Sequence, residues 1–147
     1  MEEAPKIQIR RVPVSKIIDL RHRVLRAGLP RTTAQFSGDD AAGSIHLGAM
    51  IDKQIIGCAT LHPSEFEGKP AFQLRGMAVA LGQQRRGIGQ MLLSESERIC
   101  RDSGKHFLWA NCRTPAVPFY DKHGWKKVSE EFEITSAGPH FRMVREI

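Results

Sequence analysis

The sequence predicts a mixed α/β fold in which a central sheet of six or seven strands is flanked by helices. Three observations carry that prediction. Residues 72–79 are rich in strand formers and run into a glycine-rich turn, after which Ile88, Met91, Leu92 and Ile99 repeat with helical spacing. Residues 105–112 form another apolar run beyond this helix, so strand, helix and strand make a right-handed crossover joining a parallel pair. The runs on either side of Asp52-Lys53 read as an antiparallel hairpin, which makes the sheet mixed.

The remaining elements follow in order. Residues 6–14 alternate, with Ile7 and Ile9 on one side, and Pro13 closes the strand because it cannot donate within a sheet. Ser15 is placed to cap a helix whose apolar stripe is Ile17, Ile18, Leu20, Val24 and Leu25, with Arg21, His22 and Arg23 largely outside it. Gly28-Leu29-Pro30 ends that helix. Residues 31–43 are polar and small, a loop with a short helical piece, and loops of this length are often functional. The hairpin covers 44–51 and 54–62, His62-Pro63 ends it, and 64–70 is a turn-rich link to the central strand. The helix after the turn runs to Asp102, where Ser103-Gly104 stops it. Thr114 is placed as an N-cap with Pro115 at the first helical position, and Gly124 as the residue just past the helix end. Residues 125–134 and 140–145 supply the final two strands.

A chain of 147 residues is long enough for one domain, 1–147, with a proper core. Met1-Glu2-Glu3 is acidic, unlike the start of a signal peptide, and no apolar run approaches membrane-spanning length. Cys58, Cys100 and Cys112 are odd in number and lack C-x-x-C spacing, against a disulfide framework or a zinc site. A reducing cytoplasm is the expected location. The formal charge of +6 comes from dispersed residues with small clusters at 21–26, 85–86 and 126–127. With no long basic run and no recognisable reading helix or aromatic strand, nucleic acid is disfavoured as a partner.

The turn Gln84-Arg85-Arg86-Gly87-Ile88-Gly89 sits where a strand feeds a helix. Such a helix start offers unpaired N–H groups and the positive end of its dipole, a setting for phosphate. Arg85 and Arg86 add charge there. Gly82 and Gly87 have P-loop spacing, but Ile88-Gly89 stands where Lys-[ST] is needed. Gly87-Ile88-Gly89 begins a dinucleotide fingerprint without its third glycine.

Gln84-x-x-Gly87-x-Gly89 does match the [RQ]-x-x-G-x-[GA] signature of the GNAT superfamily of N-acetyltransferases. Ala116-x-x-Phe119-Tyr120-x-x-x-Gly124-Trp125 resembles that superfamily's A-x-x-[FL]-Y-x-x-x-G-[FW] segment after the fifth strand. The element order, βαββ(β)αβαββ, is similar along nearly the whole chain, so the fold is read as GNAT-like. Within the superfamily the resemblance runs to the bacterial ElaA/YjcF-like group, through Arg113-x-x-Ala116, Gly138-Pro139-His140 and Met143. Many members carry asparagine where Arg113 stands, so an asparagine contact to pantetheine does not carry over.

The resemblance implies direct acetyl transfer from acetyl-CoA, the cosubstrate, to a primary amine of a small molecule or peptide, with no metal. Gln84, Arg85, Arg86, Gly87, Ile88 and Gly89 would hold the pyrophosphate. Backbone groups of Met77, Ala78 and Val79 would line the pantetheine, and an N–H near Val79 could face the developing oxyanion. Tyr120, the chain's one tyrosine, matches the general acid for the leaving thiolate. No motif assigns a base. His140 is the first candidate, ahead of His46, His62 and Glu65. Cys112 reads as a structural thiol and Phe119 and Trp125 as core; Arg21, Arg23 and Arg26 read first as a solvated helix face, with binding of an acidic acceptor as the alternative. A non-catalytic acyl-CoA sensor is the alternative from another class. The oligomeric state is open, a homodimer included.

Overall fold

A computed structural model describes residues 6–147. The reading of the acidic start at Met1-Glu2-Glu3 therefore lies outside the described residues. The described residues form eight strands: β1 (Ile7–Arg11), β2 (Ile45–Ile51), β3 (Gln54–Phe66), β4 (Lys69–Val79), β5 (Phe107–Arg113), β6 (Lys126–Lys127), β7 (Phe132–Ile134) and β8 (Gly138–Glu146). The α-helices are α1 (Ile18–Leu25), α2 (Ile88–Asp102) and α3 (Val117–Lys122). Hydrogen bonding orders the strands β1-β2-β3-β4-β5-β8-β6, with β7 also on β8. The β4–β5 pair is parallel, whereas β1–β2, β2–β3 and β5–β8 are antiparallel, so the sheet is mixed as expected.

The chain resolves into two compact units, one comprising residues through His62 with Gly76–Ser96, the other Pro63–Arg75 with Glu97–Ile147. In the first unit, β2 and β3 pair about the Asp52-Lys53 turn, where Asp52 takes φ of 53°. A bulge between Ala49 and Met50 leaves Ile56 without an opposite number. Cys58 and Gly57, being adjacent in a strand, face opposite sides. Ile17, Leu20 and Ala78 pack with Cys58, so α1 covers that side. A Cβ on Gly57 would lie 2.7 Å from Ile88 Cγ2 and 3.3 Å from Leu92 Cδ1, so the start of α2 lies against the other.

The second unit holds the β4–β5–β8 ladder. Ala71 pairs with Phe107 and Gln73 with Trp109; Asn111 pairs with Arg142 and Arg113 with His140. Leu108, Ala110, Cys112 and Met143 are buried on one face, alternating with Trp109, Asn111 and Arg113 on the other. At its C-terminal end α2 is tied to the strands by Arg145 Nε, which donates to Glu97 Oε1 at 2.9 Å.

Several local expectations need correction. Ser15 does not cap α1: a 3-10 turn at Val14–Lys16 precedes it, and the N-cap is Ile17, without a side-chain cap. β3 does not end at His62-Pro63 but continues to Phe66, and the supposed link is the tight turn Glu67-Gly68, with φ of 51° and 76°. Thr114 does not cap a helix either. It starts a 3-10 turn, and its hydroxyl instead donates to Glu131 Oε2 at 2.9 Å. The strand expected over 125–134 is split into β6 and β7, because Ser129 Oγ accepts the Arg142 N–H at 2.8 Å where a strand carbonyl would otherwise do so.

Candidate functional site

The strand-to-helix turn belongs to the first unit. Ala80 N–H donates to Ile56 O at 2.8 Å, which anchors the chain as it leaves β4. Arg85 and Gly87 then take positive φ, 69° and 75°. Space is open where a Gly87 Cβ would stand, so conformation is what selects glycine. Gln84, Arg85, Arg86 and Gly87 are exposed, while Ile88 is buried and pins the helix start. The helical ladder begins with Met91 N–H donating to Gly87 O at 3.0 Å. The amides of Ile88, Gly89 and Gln90 precede it and, as first-turn groups, have no intrahelical acceptor. Arg86 Nη1 donates to Gln83 Oε1 at 2.6 Å, which holds that guanidinium beside the turn.

The strand leading into the turn carries a feature that sequence reading missed. Gly76 has φ of 59° in the middle of β4, a bulge that re-aims the backbone of Met77, Ala78 and Val79. A Cβ there would meet Phe36 at 2.8 Å and Arg21 Nε at 2.9 Å. Arg21 is not on a solvated helix face, as expected above, but wholly buried. Its guanidinium lies 4.0 Å from the Phe36 ring centroid, and Nη1 donates to Asp39 Oδ2 at 2.7 Å and to Ala34 O at 2.8 Å. Nη2 donates to Thr60 Oγ1 at 2.7 Å. The 31–43 loop is thus clipped from inside to α1 and β3.

Tyr120, in the second unit, is positioned by the end of α3. Gly124 N–H donates to Asp121 O and Trp125 N–H to Tyr120 O, both at 3.1 Å, with Gly124 at φ of 91°. This is a Schellman ending, in which Gly124 occupies the left-handed position and Trp125 folds back over Tyr120. The two rings meet edge to face, 5.1 Å apart. Phe119, half-buried, also meets the Tyr120 ring edge to face, 5.3 Å between centroids. Burial pushes the Tyr120 phenol far above its ordinary value, and the nearby Cys112 adds to the shift, so the hydroxyl keeps its proton. Burial likewise raises the Cys112 thiol to about 12, leaving an inert thiol.

His140 is buried, stacked on Phe132, and its Nδ1 lies 2.7 Å from Gly138 O. Since a carbonyl can only accept, the proton sits on Nδ1 and Nε2 is left as the basic nitrogen. The weaker candidates differ. His46 uses both nitrogens, on Thr60 Oγ1 and Asp39 O, which makes it structural. His62 Nδ1 is 3.1 Å from Ser44 Oγ, and Glu65 is exposed. Among the sequence-predicted residues, then, 77–79 and 84–89 share the first unit, and Tyr120 and His140 the second. The described residues contain no cluster of three or more His, Cys, Asp or Glu suited to a metal, and no helix long and apolar enough to cross a membrane.

A family model described as the acetyltransferase (GNAT) family matches residues 16–125. The uncharacterized N-acetyltransferase YitI of Bacillus subtilis (strain 168) is 30% identical over 142 residues, covering 95% of each chain. Among solved structures, Escherichia coli ElaA superposes with a TM-score of 0.81 at 18% identity, over 96% of this chain and 100% of that one. A GNAT family acetyltransferase from Elizabethkingia anophelis with acetyl-CoA bound gives 0.70 at 18% identity, over 96% and 98%.

Proposed function

Because the chain belongs to the GNAT acetyltransferase family, we propose that it is a single-domain, cytoplasmic enzyme that acetylates a primary amine of a small molecule or peptide. Acetyl-CoA is the acetyl donor, the molecule bound in the Elizabethkingia anophelis structure. The observation that carries the reading is the turn at 84–89, where first-turn amides and the exposed Arg85 and Arg86 offer a cradle for a pyrophosphate.

In this reading the turn holds the pyrophosphate, and the backbone of Met77–Val79, re-aimed by the Gly76 bulge, lines the pantetheine. The amine nitrogen attacks the thioester carbonyl carbon. A C–N bond forms and the C–S bond breaks. The oxyanion that develops is met by an N–H near Val79. Tyr120 gives its proton to the departing thiolate, a role consistent with a phenol that burial keeps protonated. His140 Nε2 accepts the proton the amine must lose.

Calorimetric titration with acetyl-CoA tests the cradle. Replacing Arg85 and Arg86 together with alanine should weaken binding about 10- to 100-fold; unchanged affinity would remove the turn from the site. Tyr120→Phe should lower turnover about 10²- to 10⁴-fold while sparing coenzyme affinity. Saturable binding without thiol release from any amine would favour the sensor, the second reading.

A further inference from the structure

We propose that the acceptor amine also carries a carboxylate, and that an arginine-bearing face of the β4–β5–β8 ladder binds it; this rests on the transferase reading above. On one face of these three strands alternation places Gln73 and Arg75 of β4, Asn111 and Arg113 of β5 and Arg142 of β8; Asn111 pairs with Arg142, and the β4–β5 pairing runs as far as Gln73 with Trp109. The five polar residues are all half-buried. The opposite face carries Leu108, Ala110, Cys112 and Met143 and is core, so completing the sheet does not call for three guanidinium groups here.

Arg142 is the best defined of the three. Its guanidinium lies 4.3 Å from the Trp109 ring centroid, and Nε donates to Asn111 Oδ1 at 3.1 Å. Ring and amide together fix the plane of the fork. Trp109 is itself held by Nε1 donating to Ser64 Oγ at 3.3 Å. The two terminal nitrogens of Arg142 have no hydrogen-bond acceptor among the described residues. A planar, pre-oriented fork of this kind matches a carboxylate through two parallel hydrogen bonds. Arg75 Nε donates to Gln73 Oε1 at 3.1 Å on the same face.

The position in the chain suits an acceptor. Arg75 stands two residues before Met77 on β4, and Arg113 directly precedes the segment that leads to Tyr120. A phosphate of the coenzyme is the other oxyanion that three arginines could take. In the proposed reading the 84–89 turn takes the pyrophosphate, and the acetyl-CoA affinity of Arg142→Gln decides between an acceptor carboxylate and the coenzyme's remaining phosphate.

The test has two independent arms. In the first, thiol release is measured with matched amines, glycine and β-alanine and their dipeptides against the corresponding carboxamides. Wild-type protein should prefer the carboxylate member about 10- to 100-fold in kcat/KM, and Arg142→Gln should abolish that preference while acetyl-CoA affinity stays unchanged. Equal use of acid and amide, or a preference that survives Arg142→Gln, overturns the proposal. A loss of acetyl-CoA affinity in Arg142→Gln assigns the face to the coenzyme and also overturns it. In the second arm, glutarate is titrated at fixed ionic strength and followed by tryptophan fluorescence, with Trp109→Phe as the signal control. Saturable quenching that disappears in Arg142→Gln supports the site even if no amine is acetylated, in which case the transferase reading alone fails. Absence of saturable binding overturns the site. Arg113→Gln, checked for a native thermal transition, serves should Arg142→Gln not fold.

Discussion

Asp39→Ala should be among the most damaging single changes in the first unit, because it strands a buried cation. Arg21 is completely buried, and the Asp39 side chain is 8% exposed. The carboxylate accepts from Arg21 Nη1 at 2.7 Å and from Phe36 N–H at 2.8 Å, so its loss leaves a guanidinium without a counter-charge and a loop amide without an acceptor. Breaking a buried pair from one side costs about 3–5 kcal/mol. For a chain of this size that is roughly 6–20 °C in Tm. Arg21→Met fills similar space but strands the buried Asp39 carboxylate, so by the same rule it should cost a similar amount, about 3–5 kcal/mol, with the Ala34 carbonyl also losing its donor. The double variant should be about 2 kcal/mol more stable than the sum of the single changes implies. Urea unfolding followed by far-ultraviolet circular dichroism measures all three. Hydrogen exchange at Met77–Val79 supplies a local readout, since Arg21 abuts the Gly76 bulge. Additivity within about 0.5 kcal/mol, or a cost for Asp39→Ala below about 1 kcal/mol, would refute the reasoning.

Other perturbations probe the remaining supports. Gly57→Ala places a Cβ 2.7 Å from Ile88 Cγ2 and 3.2 Å from the Ala49 Cβ, so it should cost about 1–3 kcal/mol. By displacing the first residue of α2 it should also weaken acetyl-CoA binding in calorimetry, and wild-type Tm and affinity would count against the tight packing. Gly124→Ala forces φ of 91° on an alanine and should cost about 1–2 kcal/mol; turnover should fall while coenzyme affinity holds, and unchanged kcat would separate the helix ending from Tyr120. Alkaline pH should destabilise the fold. Burial raises Cys58 to about 11 and Cys112 to about 12 from 9.0, so the unfolded chain releases protons that the folded chain retains. Stability is then complete below pH 9 and declines above it, by up to about 1.4 kcal/mol per pH unit for each thiol. Urea midpoints from pH 8 to 10.5 should drop accordingly, less steeply in Cys112→Ala, and a flat profile would contradict the burial of both thiols.

Most of the fold was legible because its signals are local. Helical spacing from Ile88 to Ile99, the Asp52-Lys53 hairpin and the apolar run before Arg113 each announce one element without reference to distant residues. What escaped depends on partners far along the chain. Arg21 was placed among solvated residues because a helical stripe does not reveal that Asp39, Ala34 and Thr60 converge on its guanidinium. The split between β6 and β7 comes from a Ser129 hydroxyl taking a backbone N–H of β8. The bulge at Gly76 could have been suspected, since a glycine inside a strand pattern marks a bulge or a close approach. The pairing of Trp109 with Arg142 needs the β5–β8 register, which no single stretch encodes.

The two signatures that identify the family are, in physical terms, instructions for the backbone. In the second of them, Gly124 supplies the left-handed residue and Trp125 the returning N–H and ring, and both act on Tyr120, whose carbonyl and phenyl face they engage. In the first, Gly87 supplies a positive φ and Ile88 the buried anchor, which sets the first-turn amides of the helix beside the exposed Arg85 and Arg86. Neither pattern contains a group that distinguishes one amine from another. Selectivity must then come from polar side chains that the backbone does not require. The half-buried odd-numbered positions of β5 and even-numbered positions of β8 are such places, because a sheet closes equally well with threonine or valine there. That Asn111, Arg113 and Arg142 occupy them instead, with Trp109 flattening one guanidinium, is a departure that folding alone does not demand. For Arg142, whose guanidinium plane Trp109 and Asn111 fix, the proposed acceptor carboxylate is a matching partner.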